Sequence, residues 1–498
     1  MRFFILVCFI IIGHNSVSSR DYNILDYGAK ADGKTLNTRQ IQFAIDAAYS
    51  DGGGRVIIPA GRFLSGSIIL KTGVELYLQK KATLLGSTDS RQYIKLNRWM
   101  ALIMADNQAD IMISGNGEID GQGRQLALNI DSLFYIGQFD SIHYELIEKR
   151  PRADWRPQVI ELVNCKNIAV RNITIKNSAS WVQTYDRCTN LLLDHIRVES
   201  DDYWNNDGID VQDCKNVRIT NCFVNSADDG ICLKSQSSEL FCDSIYISNC
   251  TIRSSASAIK FGTVSHGGFK NVRIENIKVF DTFRSAIAIE CVDGGTLENV
   301  TIDHVNALNT GNAIFIRLGK RNQTGNTATL KNITIKNIRV QVAFGPPDEK
   351  YEIRGPELPF FHNPFPSSIT GIAGHPVENV LLENIDIQYP GKGNNGFANV
   401  PLSRLDAIPE KEAVYPEFSM FGELPAWGFY VRHMNGLTMK NIKLSIANPD
   451  YRPSIIFDDV RNLRMNSIII KGDNKHSKIV LHKTQEVEMD SHEEVMKI

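Results

Sequence analysis

Apolar residues recur along this chain in a unit of the form N-φ-x-φ-x-N-φ-x-φ, where φ is apolar. Its anchors are Asn167, Asn190, Asn216, Ser244, Asn271, Asn299, Asn332, Asn379, Gly436 and Asn462. The position after each anchor holds Ile168, Leu191, Val217, Ile245, Val272, Val300, Ile333, Val380, Leu437 and Leu463, and the third and sixth positions are equally apolar. Alternation by two is the period of a β-strand, and a repeat of roughly 23 to 28 residues is the length of one solenoid coil. The pattern predicts an all-β fold, a single-stranded right-handed parallel β-helix whose one core runs along an axis.

The fifth position after each anchor is polar: Asn172, His195, Asn221, Asn249, Asn276, His304, Asn337, Asn384 and Asn441. Asn tolerates left-handed backbone and bonds to its neighbours, so this column reads as a ladder stacked at a turn. A helix-like stretch from Asn37 to Tyr49 is expected to cap the open end of the first coil. Two stretches rich in Pro, Gly and aromatics, about 341–373 and 388–431, interrupt the repeat and read as insertions projecting from one face. The repeat domain is thus set at 21–472, with 473–498 as a C-terminal tail.

Residues 1–20 place Arg2 before an apolar run from Phe3 to Gly13 and a small polar stretch ending Ser16-Val17-Ser18-Ser19, the pattern of a secretory signal peptide. The mature chain is therefore expected to be secreted or periplasmic. No other segment has the apolar length of an integral membrane helix. Eight cysteines follow the leader, but Cys165, Cys188, Cys214 and Cys242 all lie two positions before an anchor, in a column continued by Phe269, Leu297, Leu330 and Val377. They read as small core hydrophobes rather than a disulfide framework, and Cys222 and Cys250, one column on adjacent coils, are the only pair singled out for a disulfide test.

The chain has 498 residues, 54 Lys+Arg against 56 Asp+Glu and a formal charge of -2. That balance supplies no global field for nucleic acid, so a charged ligand would have to meet a local patch.

One such patch is encoded. A second strand aligns as Gly208-Ile209-Asp210-Val211-Gln212, Gly230-Ile231-Cys232-Leu233-Lys234, Ala258-Ile259-Lys260-Phe261-Gly262, Ala286-Ile287-Ala288-Ile289-Glu290 and Ala313-Ile314-Phe315-Ile316-Arg317. Before these strands stand Asp207, Asp229, Ser257, Ser285 and Asn312, with Asp228 beside Asp229. Coils stack at about 4.8 Å, so three carboxylates converge on two adjacent coils. Like charges that close push their pKa values apart, leaving one carboxyl protonated and another ionised, as acid/base cleavage of a glycosidic bond requires.

The chain resembles the polygalacturonase-type glycoside hydrolases of family 28, in the pectin-lyase-like superfamily. The resemblance is carried by Tyr27-Gly28-Ala29-Lys30-Ala31-Asp32-Gly33, Ile119-Asp120-Gly121-Gln122-Gly123, Arg156-Pro157, Asn177-Ser178-Ala179-Ser180-Trp181, Asn205-Asn206-Asp207-Gly208-Ile209-Asp210 and Asp228-Asp229-Gly230. It implies hydrolysis with inversion, with Asp228 as general acid, Asp207 and Asp229 as bases and Asn205 positioning them. Where the family carries Gly-His-Gly, this chain has Ala256-Ser257-Ala258, with His266 nearby in sequence. Where the family's Arg-Ile-Lys binds a galacturonate carboxylate, it has Ala288-Ile289-Glu290. Lys234, Lys260 and Arg317 are then expected to act as relocated cations for an acidic sugar, and Glu290 to bind sugar hydroxyls.

The expected protein is a monomeric hydrolase of pectin-type polysaccharide or oligosaccharide, polygalacturonan or rhamnogalacturonan fragments, requiring no cofactor or metal. Trp427, Phe429, Phe360 and Phe361 are expected to wall off one end of the groove and make it exo-acting. A β-helix polysaccharide lyase and a non-catalytic carbohydrate-binding solenoid remain as alternatives.

Overall fold

The computed structural model describes residues 20–498, apart from 323–324, 356–357, 361, 395, 397–400, 473–477 and 491–492. The expected signal peptide, but for Arg20, lies outside the described residues, as does Phe361.

The fold is a right-handed parallel β-helix. Each regular coil contributes three strands: Gln183–Asp186, Thr189–Asp194 and Arg197–Ser200 in one, Ile209–Gln212, Lys215–Thr220 and Phe223–Ser226 in the next, then Ile231–Ser235, Cys242–Ser248 and Thr251–Ser254. Every strand pairs in parallel with its counterpart one coil away, so each sequence column becomes a row in space. Ile168 faces Leu191, Leu191 faces Val217, Val217 faces Ile245, and the row continues through Val272, Val300, Ile333, Val380, Leu437 and Leu463. All ten are buried. Each such side chain contributes about 1.5–3 kcal/mol of transfer free energy, and the coils share one continuous core.

Both turn columns flanking that row are left-handed. The Asn and Ser anchors have φ between 53° and 60°, and the column five residues on, from Asn172 to Asn441, falls between 53° and 57°. Asn is the ordinary side chain least strained there, and stacking adds a second reason for it. Asn190 donates to the Asn167 side-chain oxygen at 2.8 Å and Asn216 to that of Asn190 at 3.2 Å, while on the second column Asn441 donates to Asn384 at 2.8 Å and Asn384 to Asn337 at 2.9 Å.

Helix α1, Thr38–Ser50, buries Ile41, Ala44, Ile45 and Ala48 against the first strands. The eight cysteines among the described residues are free and buried. The coil runs past the expected boundary at 472: Ile479–His482 pairs with Ile455–Lys471, and Val495–Lys497 pairs with Ile479–His482. The repeat is hard to see there because its outward residues, as in Gln485–Asp490, are nearly all charged or exposed.

The second insertion lies against the outer face of the sheet rather than projecting free. Leu405, Ile408, Phe418, Met420, Phe421 and Leu424 pack over the outward residues Ala288, Phe315, Tyr430, Ile456 and Val480 to form a separate apolar cluster. Trp427 and Phe429 belong to the main core, at 1% and 0% exposure, and not to any groove wall.

If backbone strain governs the turn columns, Asn190→Val should lower the unfolding free energy by about 2 kcal/mol and Asn190→Gly by about half that, since glycine loses the ladder bonds but not the left-handed conformation. Chemical denaturation followed by circular dichroism reads both, and equal losses would remove strain from the account.

Candidate active site

The three aspartates stand where the turn enters consecutive strands, and parallel pairing brings them together. Ile209 faces Ile231 and Ile231 faces Ile259, so Asp207, Asp229 and Ser257 occupy one row and Asn206, Asp228 and Ala256 the row before it. The glycines that follow Asp207 and Asp229 are dictated by packing. A Cβ at Gly208 would stand 2.4 Å from Val224 Cγ1, and one at Gly230 2.5 Å from Ile252 Cγ2. An oxygen of Asp207, one of Asp229 and the Cys232 Sγ all lie within 4.8 Å of one another.

Two buried lysines compensate this charge. Lys234 Nζ donates to Asp207 Oδ2 at 2.7 Å and also to Asp210 Oδ1, and it lies 3.8 Å from the centre of the Trp181 ring. Lys260 Nζ sits 3.1 Å from Asp229 Oδ2 and donates to the Tyr415 hydroxyl at 3.0 Å. With 6% and 1% of their surface exposed, neither is free for a ligand; the sequence identified both as important but assigned them to sugar rather than to the aspartates.

The surroundings separate the carboxyl groups. Burial alone would raise Asp229, but the adjacent Lys260, with Arg284 and Lys234 beyond it, overrides burial and holds the group below the ordinary carboxylate range; the Ser257 N–H also donates to Oδ1 at 3.1 Å. Asp228 is raised, first by burial and then by the neighbouring Asp229 charge. Burial also raises Asp207, and the charges of Asp210, Asp228 and Asp229 reinforce it against Lys234, whose own pKa Asp207 and Asp210 raise against burial.

Asp228 is the member that opens to solvent. It lines a cleft of about 1330 Å³ together with Asn205, Trp204, Arg284, Phe360 and Tyr415. Asn205 Nδ2 reaches Asp228 Oδ2 at 3.5 Å, and its own oxygen accepts from the buried Arg156 at 2.7 Å. Arg156 also donates to the carbonyls of Pro151, Ala179 and Trp204 at 2.7–2.9 Å, while Asn206 donates to those of Ser178 and Ser180 at 3.0 and 2.8 Å. The motifs around Arg156 and Trp181 therefore act as backing that fixes the turn.

Three expected ligand-binding residues are placed otherwise. His266 lies past the opposite end of the strand Ile259–Ser265, where its N–H donates to the Ser235 carbonyl. Arg317 is 1% exposed and donates to Thr370 Oγ1 and to the carbonyls of Gly371, Glu410 and Lys411, tying the second insertion to the sheet. Glu290 is 2% exposed, accepts from Thr263 Oγ1 at 3.1 Å, and is raised to about 7, chiefly by burial. Ala288 is covered by the apolar insertion, which is the physical reason no cation stands at that position.

Sequence reasoning passed over Arg284. It occupies the row of Asp228, through Ala256, and its N–H donates to the Ala256 carbonyl at 2.8 Å. The signal was present in the residue immediately before Ser285. Arg150, Arg354 and Tyr415 also line the cleft, but the periodicity places none of them because they sit outside the repeat.

A family model described as "Glycosyl hydrolases family 28" matches residues 52–407. A "Probable polygalacturonase" of Vitis vinifera is 30% identical over 53% of this chain and 56% of its own length, so the chain spans little more than half of that relative. An "Exo-poly-alpha-D-galacturonosidase" of Dickeya chrysanthemi is 24% identical over 73% of this chain and 71% of its own. Among solved structures, a family 28 exopolygalacturonase of Yersinia enterocolitica superposes with a TM-score of 0.59 at 19% identity, covering 95% of this chain and 79% of that one, a likeness of fold.

The electrostatics can be checked without any substrate. In a carbon-13 titration of the aspartate carboxyls, Asp229 should stay ionised as pH falls below the usual range and Asp228 should keep its proton as pH rises above it. Lys260→Met should move Asp229 upward. An Asp229 that titrates above Asp228 in the unmodified protein would refute the division.

Proposed function

Because the chain belongs to the glycosyl hydrolases of family 28, we propose that it hydrolyses glycosidic bonds in a pectin-type polysaccharide, polygalacturonan or rhamnogalacturonan fragments, by acid/base catalysis with inversion. The observation that carries this reading is the split among the stacked aspartates. The one that holds its proton faces the cleft, and the one kept ionised lies behind it against a lysine.

In this mechanism Asp228 gives its proton to the leaving glycosidic oxygen. Asp229 takes a proton from the attacking water, and Asp207, held by Lys234, helps fix that water. Lys260 keeps Asp229 charged and so available as a base. Asn205, held by Arg156, aims the acid. After bond cleavage Asp228 is ionised and Asp229 protonated, and exchange with solvent restores both.

The direction of the pH dependence follows. Activity needs Asp229 ionised, so it falls only as pH drops through that group's lowered pKa; it needs Asp228 protonated, so it falls as pH rises through that group's raised pKa. The plateau is wider than two ordinary carboxyls would give.

Pro346, Asp348, Arg354, Leu358 and Phe360 of the first insertion and Tyr415 of the second wall the cleft, which supports exo-action on a chain end. The names of the Dickeya and Yersinia proteins point the same way. The N-terminal leader pattern fits an exported enzyme, and no helix among the described residues is long and apolar enough to cross a membrane. The lyase alternative needs a basic side chain facing the substrate; Lys234 and Lys260 both face carboxylates, while Arg284 lines the cleft, so the product decides between the two.

Asp228→Asn should lower kcat by about 10²–10⁴ while retaining oligosaccharide binding. Proton NMR of the unmodified enzyme acting on pectic oligosaccharides should show the inverted anomer first, released as single units from one end. Retained activity in the variant would remove Asp228 as the acid. An unsaturated, ultraviolet-absorbing product would instead establish a lyase.

A further inference from the structure

The cleft lining carries one cation that is bonded differently from the buried arginines Arg156, Arg253 and Arg317. Arg156 and Arg317 spend their guanidinium N–H groups on backbone carbonyls, and Arg253 donates to the Ser226 carbonyl at 3.1 Å and to Ser255 Oγ at 2.8 Å. Such arginines are struts. The guanidinium of Arg284 donates no hydrogen bond among the described residues. Its nearest carboxylate, Glu417, stands 3.6 Å away, its Nε is buried without a partner, and the Tyr415 ring centre lies 5.7 Å from its carbon.

With only 14% of its side chain exposed, Arg284 has little water to compensate those donors. A buried guanidinium left this way is costly, and what compensates it best is a planar anion that accepts two parallel N–H bonds. Arg354, which shares the cleft, is solvated at its lip, and Arg150 already bonds to Glu145 at 3.2 Å. Arg284 is the cation with capacity to spare.

Its position gives that capacity a use. Arg284 follows Asp228 by two coils in one row, about 10 Å along the axis, lines the same cleft, and its charge acts on both Asp228 and Asp229. The face beneath Ala288 is sealed by the apolar insertion, so a sugar cannot be gripped from there. We propose that Arg284 is the specificity-determining residue of this site and binds the carboxylate of a uronic acid unit at the point of cleavage. The proposal rests on the hydrolase reading above and deepens it from pectic sugar in general to an acidic sugar in the unit beside Asp228.

The test uses the full chain carrying Asp228→Asn, so that ligands survive, with Arg284 intact or changed to Met or Lys. Binding of trigalacturonate and of a rhamnogalacturonan tetrasaccharide is measured by calorimetry, each as free acid and as uncharged methyl ester. Arg284→Met should weaken binding of at least one free acid by 10-fold or more and leave its ester unchanged, and Arg284→Lys should recover part of the loss. Equal binding of acid and ester with Arg284 present, equal losses for both on substitution, or no binding of either acid would overturn the proposal. Hydrolysis by the unmodified chain separates the two readings. Acid-selective binding through Arg284 without any cleavage would sink the hydrolase and leave Arg284 standing, whereas cleavage of neutral substrates alone would do the reverse.

Discussion

In-register parallel stacking is the constraint on which the rest of this protein depends. Because each strand pairs with its own counterpart one coil away, whatever occupies a column in sequence is repeated at about 4.8 Å in space. For Ile and Val this builds a core, and for Asn it builds a ladder. For Asp it builds a problem, since like charges at that spacing repel strongly once water is removed. The two lysines that answer it come from the strands that follow: Lys234 reaches back one coil to Asp207 and Asp210, and Lys260 one coil to Asp229. The clustering of the three aspartates is a consequence of coil register, and its charge balance is a consequence of the same register one strand on.

That dependence explains what could be read from the chain alone. The strand columns, the left-handed Asn column, the buried cysteines and the convergence of Asp207, Asp228 and Asp229 were legible because a repeat converts sequence spacing directly into distance. The roles of Lys234 and Lys260 were only half legible. Periodicity says that a residue points outward, but not whether an insertion then covers it, and both lysines turned out to be enclosed with the aspartates. Arg317 failed for the same reason, since its partners Glu410 and Lys411 lie in a loop without period. His266 is close to the aspartates in sequence only, because the two ends of the strand Ile259–Ser265 serve different turns.

The second insertion links these observations. Its apolar side chains cover Ala288, Phe315 and Tyr430, which makes the family's usual anion-binding position unusable and turns Arg317 into a strut. The same segment carries Tyr415, which bonds Lys260 and flanks Arg284. Covering of the Ala288 position and enclosure of Arg284 by Tyr415 and Glu417 are therefore two results of a single loop coming down on the sheet.

The stacked thiols have a further consequence. Cys165, Cys188, Cys214 and Cys242 lie in one interior column at 0–1% exposure, where no oxidant can reach sulfur unless a coil first opens. Among the described residues no disulfide ties one coil to another. In an oxidising environment the rate at which those sulfurs are modified becomes a clock for local breathing, counted coil by coil along the axis.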